Sequence, residues 1–229
     1  MERIVVTCLG VVSSIGSSLE EFEAGMREGR SGMAPAANFN RHGFDNVKAC
    51  EVKAFDPLEY LKNTDASTIA RSSQFSIAAA RMALENAGFD PETLRGTRIP
   101  VIIGSTDGES QPLDEVARIW AEEGLEAAPA DLFEKSATAN LSNAVSREFG
   151  LTGSSKCIST ACSAGNYAIG NAFDLLRAGD AQIAICGGSD SVCRKTYSGF
   201  SRLGTIAPEK CQPFDLNRLG ILTGEGSGI

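Results

Sequence analysis

The sequence predicts an α/β fold built in layers around a largely parallel sheet. Three observations carry this. Short β-branched apolar runs alternate with longer stretches at helical spacing, and glycine marks the ends of those helical stretches. The succession of helix, glycine stop, apolar strand and glycine occurs twice, at 75–104 and at 164–188. Strands that read as continuous apolar runs belong to a sheet covered by helices on both sides.

The elements follow in order. Arg3 to Leu9 is a β-branched apolar run meeting Gly10, and it predicts the first strand. Ser17-Ser18 then caps a helix whose first turn carries Glu20 and Glu21, where acids favour the positive end of the macrodipole, and which ends near Gly29. Residues 31–66 are mixed, punctuated by Gly32, Pro35, Gly43 and Pro57, with a short strand predicted from Val47 to Val52. From Ser67 to Ala87 the spacing of Phe75, Ala79, Met82 and Ala83 makes one apolar helix face, stopped by Gly88. Ile99 to Gly104 reads as a buried strand. Pro112 to Gly150 is helical in two or three pieces, broken near Gly124 and Pro129. Ser155 to Ser159 forms a strand and Thr160 to Gly165 a turn. Ala164, Ala168, Leu175 and Leu176 then mark a helix reaching Gly179, and Ala181 to Cys186 is a strand that Gly187-Gly188 halts.

Composition narrows the function. A chain of 229 residues with 42% hydrophobic and 22% charged residues is an ordinary globular one. Its formal net charge of −8 repels nucleic acid and anionic membranes, and no Lys/Arg run offsets this. The start, Met1 to Val6, lacks the pattern of a leader, and no apolar stretch approaches membrane-spanning length, so a cytoplasmic location is expected, with neither nucleic acid nor membrane as partner. Seven cysteines without C-x-x-C spacing read as free thiols in a reducing compartment, and a single histidine, His42, leaves a metal site unexpected. His42, between Arg41 and Gly43, reads as a solvated surface residue.

Cys162 stands apart from the other thiols. It lies at the predicted strand-to-helix junction between small residues, Ser159-Thr160-Ala161 before it and Ser163-Ala164-Gly165 after it. A helix start presents unpaired N–H groups and positive potential, which favour the thiolate, the form that attacks a thioester. The residues alone leave two readings open: an activated nucleophile, or a small buried hydrophobe like most free cysteines.

The segment Cys157-Ile158-Ser159-Thr160-Ala161-Cys162-Ser163-Ala164-Gly165 resembles the nucleophile segment of the condensing enzymes, Thr-Ala-Cys followed by small residues. Other segments agree in order along the chain: Leu9 to Gly16, Glu28 to Gly32, Gly187-Gly188, and Pro213-Phe214-Asp215-Leu216-Asn217-Arg218-Leu219-Gly220 leading to Gly224-Glu225-Gly226-Ser227-Gly228. The chain is thereby similar to the N-terminal half of a β-ketoacyl-(acyl carrier protein) synthase. The Pro-Phe-Asp segment points to the elongating type of fatty-acid and polyketide synthesis. The resemblance implies a thiolase-like layered α-β-α-β-α fold, of which residues 1–229 are the N-terminal domain. It implies that Cys162 takes an acyl group from acyl carrier protein, that malonyl carrier protein then loses carbon dioxide and condenses with it, and that the Cys162 N–H helps hold the oxyanion. No cofactor is implied. Phe200, in Ser198-Gly199-Phe200-Ser201, matches a loop bordering the acyl pocket, its alternative being an ordinary core aromatic. A homodimer joined edge to edge through a strand near Ser155–Ser159 is a further implication.

The resemblance has departures. The family takes two histidines and a lysine from its second half, and His42 matches neither histidine, so the chain is expected to be a truncated product or a record of part of a gene, and not to condense alone. Asp107 and Glu109 stand in a segment where the family has small or aliphatic residues, which sets a long aliphatic substrate in doubt unless both carboxylates point to solvent. The competing functional reading is a non-catalytic chain-length-factor-like subunit, which would lack the nucleophile that Cys162 supplies. A plain α/β binding module is the third.

Overall fold

The computed structural model describes residues 3–39, 41–45 and 47–229. Met1 and Glu2, at the head of the segment considered for a leader, and Asn40 and Asn46, in the mixed segment, lie outside the described residues. Strand β1 (Val11–Ser13) and helix α1 (Leu19–Glu28) come first, followed by β2 (Ala34–Pro35), β3 (Lys48–Ala49) and the long helix α2 (Arg71–Asn86). Strand β4 (Val101–Gly104) leads to three helices, α3 (Ser110–Glu123), α4 (Ala130–Lys135) and α5 (Asn140–Glu148). Then come β5 (Ser155–Ile158), α6 (Ala164–Ala178), β6 (Ile185–Asp190), α7 (Arg194–Arg202) and β7 (Gly226–Gly228).

The main sheet has the order β1-β7-β6-β4-β5. β4 runs parallel to both β5 and β6, while β7 is antiparallel to its neighbours β6 and β1. The expected largely parallel sheet is therefore present, with one reversed strand inserted. β2 and β3 form a separate antiparallel pair.

Strand alternation sends successive β4 side chains to opposite faces. Val101 and Ile103 join Ile77 and Leu84 of α2 and Leu141 and Val145 of α5 in one core cluster, whereas Ile102 packs with Ala168 and Ala172 of α6. The sheet is thus sandwiched between α2–α5 and α6. Two buried ion pairs brace the α2 side. Arg81 meets Glu148 at 2.6 Å, and Glu148 also accepts the Lys62 and Asn63 N–H groups at 2.7 and 3.1 Å. Arg71 meets Glu225 at 2.7 Å, and Glu225 accepts the Val52 and Val192 N–H groups at 2.9 and 3.2 Å. Each carboxylate is satisfied by several donors, which is what a buried charge requires.

The local signals at helix ends are met. Ser18 caps α1 by accepting the Glu21 N–H, and Gly29 closes it at φ 63°; Gly179 closes α6 at φ 81°. Two strand expectations are corrected. Arg3 to Leu9 forms no strand: Val6 is 76% exposed, and the ladder begins only at Val11, because an apolar run becomes a strand only where an edge is available to pair. The strand predicted at Ala181–Cys186 begins at Ile185 and continues through Gly187-Gly188 to Asp190. These glycines do not stop it. A side chain on Gly187 would lie 2.0 Å from the Gly228 carbonyl oxygen, so glycine here admits the neighbouring strand. The strand predicted at Val47–Val52 shortens to β3, with Cys50 bridging Gly224.

Candidate active site

A cleft of about 350 Å³ opens at the carboxyl ends of β4 and β6. In open α/β sheets ligands bind at that end of the strands. Three glycines bring the start of α6 down onto it. A side chain on Gly104 would lie 2.2 Å from the Ala164 carbonyl, and Gly165 and Gly188 face each other in ordinary contact. Any larger residue at Gly104 would push the helix start away from the sheet.

Cys162 stands in the single 3-10 turn, Ala161–Ser163, that runs into α6. It is exposed and lines the cleft. Ala161, immediately before it, holds φ 52°, a left-handed conformation that costs a non-glycine residue about 1–2 kcal/mol. That bend turns the chain from β5 into the helix, and Ser163 Oγ donates to the Thr160 carbonyl across it at 3.0 Å. A helix start leaves its first N–H groups without intrahelical carbonyls; here the Ala164 N–H is taken up by the Ala161 carbonyl of the turn.

Four of the other thiols are buried in whole or in part. Burial pushes Cys50, Cys157, Cys186 and Cys193 up, Cys157 to about 11 with the Asp190 and Glu109 carboxyls adding to the effect. Of the seven cysteines only Cys162 and Cys211 are exposed. Among the described residues no three His, Cys, Asp or Glu side chains gather as a metal-binding group.

With Cys162, the cleft is lined by β1 through Val11, Val12 and Ser13 and by β7 through Gly226, Ser227 and Gly228; Thr106, Ser189 and Asp190 lie in the same lining. Sequence reasoning missed Asp190. Its only local signal is a carboxylate closing an apolar strand just past a glycine pair. Burial raises its pKa, opposed by hydrogen bonds from Asp107, Ser105 and Thr106.

Asp107 and Glu109 do not line the cleft. Asp107 pairs with Lys195 at 3.1 Å. Glu109 is buried against α2, where its carboxyl accepts the Ser73 N–H at 2.7 Å and the Ser73 hydroxyl, and burial pushes it up to about 7. Phe200 is half-buried on α7 and is not among the residues around the cleft. His42 is exposed, and likewise apart from it.

The family model for the β-ketoacyl synthase N-terminal domain matches residues 1–229. A 3-oxoacyl-(acyl-carrier-protein) synthase 2 of Synechocystis sp. is 31% identical over 239 residues, covering 100% of this chain and 56% of the relative. Among solved structures, the ishigamide ketosynthase/chain length factor superposes with a TM-score of 0.93 at 40% identity, over 98% of this chain and 56% of that one. A type II polyketide synthase ketosynthase in complex with its acyl-carrier protein superposes at 0.82 with 28% identity, over 99% of this chain and 56% of that one. The chain thus spans about half the length of the relatives it matches.

Proposed function

The chain belongs to the β-ketoacyl synthase family and has its thiolase-like fold, and on that premise we propose that it forms the nucleophile-bearing part of a condensing enzyme. The observation that carries the proposal is the exposed Cys162 at the start of α6, over the carboxyl ends of the sheet strands. The Cys162 thiolate attacks the acyl thioester of acyl carrier protein, forming an acyl–Sγ bond while the carrier thiol leaves. Donors at the helix start, the Cys162 N–H among them, stabilise the developing oxyanion. Malonyl carrier protein then loses carbon dioxide, its carbanion attacks the acyl carbonyl, and the Cys162 thiolate is released with the β-ketoacyl product on the carrier. No cofactor enters these steps, and Phe200 borders the acyl path beyond the cleft. A cytoplasmic location accords with free thiols.

Carrier protein as partner is supported by the complex of the polyketide ketosynthase relative. Homodimerisation through β5 is supported by its place at the end of the sheet, where among the described residues β4 is its only strand partner and its outer edge is open to pairing. Light scattering at working concentration checks it: a dimer is expected, and a monomer under conditions of activity contradicts it. The second reading, a chain-length-factor-like subunit, draws on the ketosynthase/chain length factor relative. One experiment separates the two. Full-length protein is incubated with acyl carrier protein thioester and the adduct mapped by mass spectrometry, then malonyl carrier protein is added and carbon dioxide and β-ketoacyl product are followed. Acyl–Cys162 and product that both vanish in Cys162→Ala are expected; no adduct at Cys162 leaves the non-catalytic reading.

A further inference from the structure

The turn between β4 and α3 supplies one wall of the cleft through Thr106, and its donors converge on a single carboxylate that comes from β6. Asp190 accepts the Ser105 hydroxyl at 2.7 Å, the Thr106 N–H at 3.0 and 3.1 Å and the Asp107 N–H at 2.9 Å. Ser105 Oγ in turn accepts the Gly108 N–H at 2.7 Å, so four consecutive residues are tied to one side chain directly or through one hydroxyl. Hydrogen bonds to an ionised acceptor are stronger than neutral ones, and here they hold backbone that carries no regular ladder of its own. The far end of the same turn is fixed separately, by Glu109 on Ser73. Asp190 itself lines the same cleft as Cys162.

We propose that Asp190 is a positioning residue: its carboxylate holds the turn 105–108 in place as a cleft wall and thereby sets which acyl groups reach Cys162. The inference rests on the acyl-transfer reading for its second half only. Asp190 connects the carboxyl ends of two neighbouring strands, β4 and β6, at the point where an acyl chain must pass. Loosening it widens the wall without touching the thiol. An asparagine at 190 presents one acceptor oxygen and two N–H groups to donors, so the Thr106 and Asp107 amides lose their charged partner.

The test uses the full protein and two readings. The first is amide hydrogen exchange at Thr106 and Asp107, which reports the opening of the turn whether or not the protein is active. The second is the ratio of transfer rates to Cys162 from dodecanoyl and butanoyl carrier protein, with iodoacetamide alkylation of Cys162 as a control for the thiol. Asp190→Asn is expected to speed exchange about tenfold, the factor matching loss of one charge-assisted hydrogen bond. It should also shift the transfer ratio about threefold or more, in proportion to an opening of that size, while alkylation stays unchanged. Ser105→Ala should move both readings the same way, and Asp190→Glu should restore part of the protection. Unchanged exchange in Asp190→Asn, or faster exchange with an unchanged ratio, overturns the proposal; if that variant does not fold, Ser105→Ala decides by the same two readings. No acyl transfer in the unaltered protein defeats the condensing-enzyme reading and the specificity claim with it, while exchange still decides whether Asp190 holds the turn.

Discussion

The two faces of the sheet are built from different materials. On the α2–α5 face large aliphatic side chains are sealed, and the charges among them are paired, as in Arg81–Glu148. On the α6 face the buried residues of the helix are small, Ala164, Ala168 and Ala172, the last two packed on Ile102, and the helix turns Tyr167, Ile169 and Phe173 outward, exposed. A face that holds the domain together fills its space. A face that brings a nucleophile against strand ends removes side chains so that backbones can approach, and it draws less stability from burial.

The largest effect that would test this contrast is on the sealed face. Arg81→Ala leaves Glu148 buried without its cation and is expected to cost about 3–5 kcal/mol in urea unfolding; a cost under about 1 kcal/mol would mean the pair is not sealed. Next comes the same substitution on both faces. Ile77→Ala is expected to cost about 2–5 kcal/mol, because Ile77 is 0% exposed. Ile169→Ala is expected to stay within about 0.5 kcal/mol, because Ile169 is 51% exposed. Equal costs would break the comparison and show that something covers α6 in solution.

The third concerns pH. Glu109 rises from its ordinary 4.5 to about 7 in the folded protein, so the folded state binds a proton more tightly than the unfolded one. Its contribution is present in full below 4.5 and is lost as pH rises through 7. Glu109→Gln should therefore gain stability relative to the unaltered protein between those values, by up to on the order of 3 kcal/mol, and then level off. A flat difference across that window in paired unfolding curves would remove the assignment. The smallest effect sharpens the open face: Cys162→Ala should leave stability within about 0.5 kcal/mol. The same change should abolish the main iodoacetamide adduct, since limiting reagent is expected to choose Cys162 over buried thiols such as Cys157.

What could be read in advance follows the same division between near and far. Helix ends were legible because their causes lie within a few residues: Ser18 beside Glu21, and glycine where φ turns positive at Gly29 and Gly179. The strand-to-helix junction at Cys162 was legible from its small neighbours, although the thiol sits in a 3-10 turn just ahead of the helix. The run Arg3–Leu9 misled because strand composition says nothing about whether an edge is free to pair. Gly187 misled for a related reason: the atom that forbids a side chain there belongs to Gly228, far along the chain. Asp190 was invisible because its donors lie more than eighty residues earlier, at Ser105, Thr106 and Asp107. Glu109 was noticed but misplaced, since only its partner Ser73 shows that it faces inward.

β7 sits between β1 and β6, with Val12 opposite Ser227 and Ser189 opposite the same residue. A ribosome releases it after the other four described strands of this sheet. Until then, among the described strands, β1 has no partner and β6 carries a bare edge, so the nascent chain holds a slot open for a strand made much later. Closing that slot joins Val11 to Gly228, a pairing of high contact order that is slow to form. The waiting edge is also where a neighbouring nascent chain can intrude.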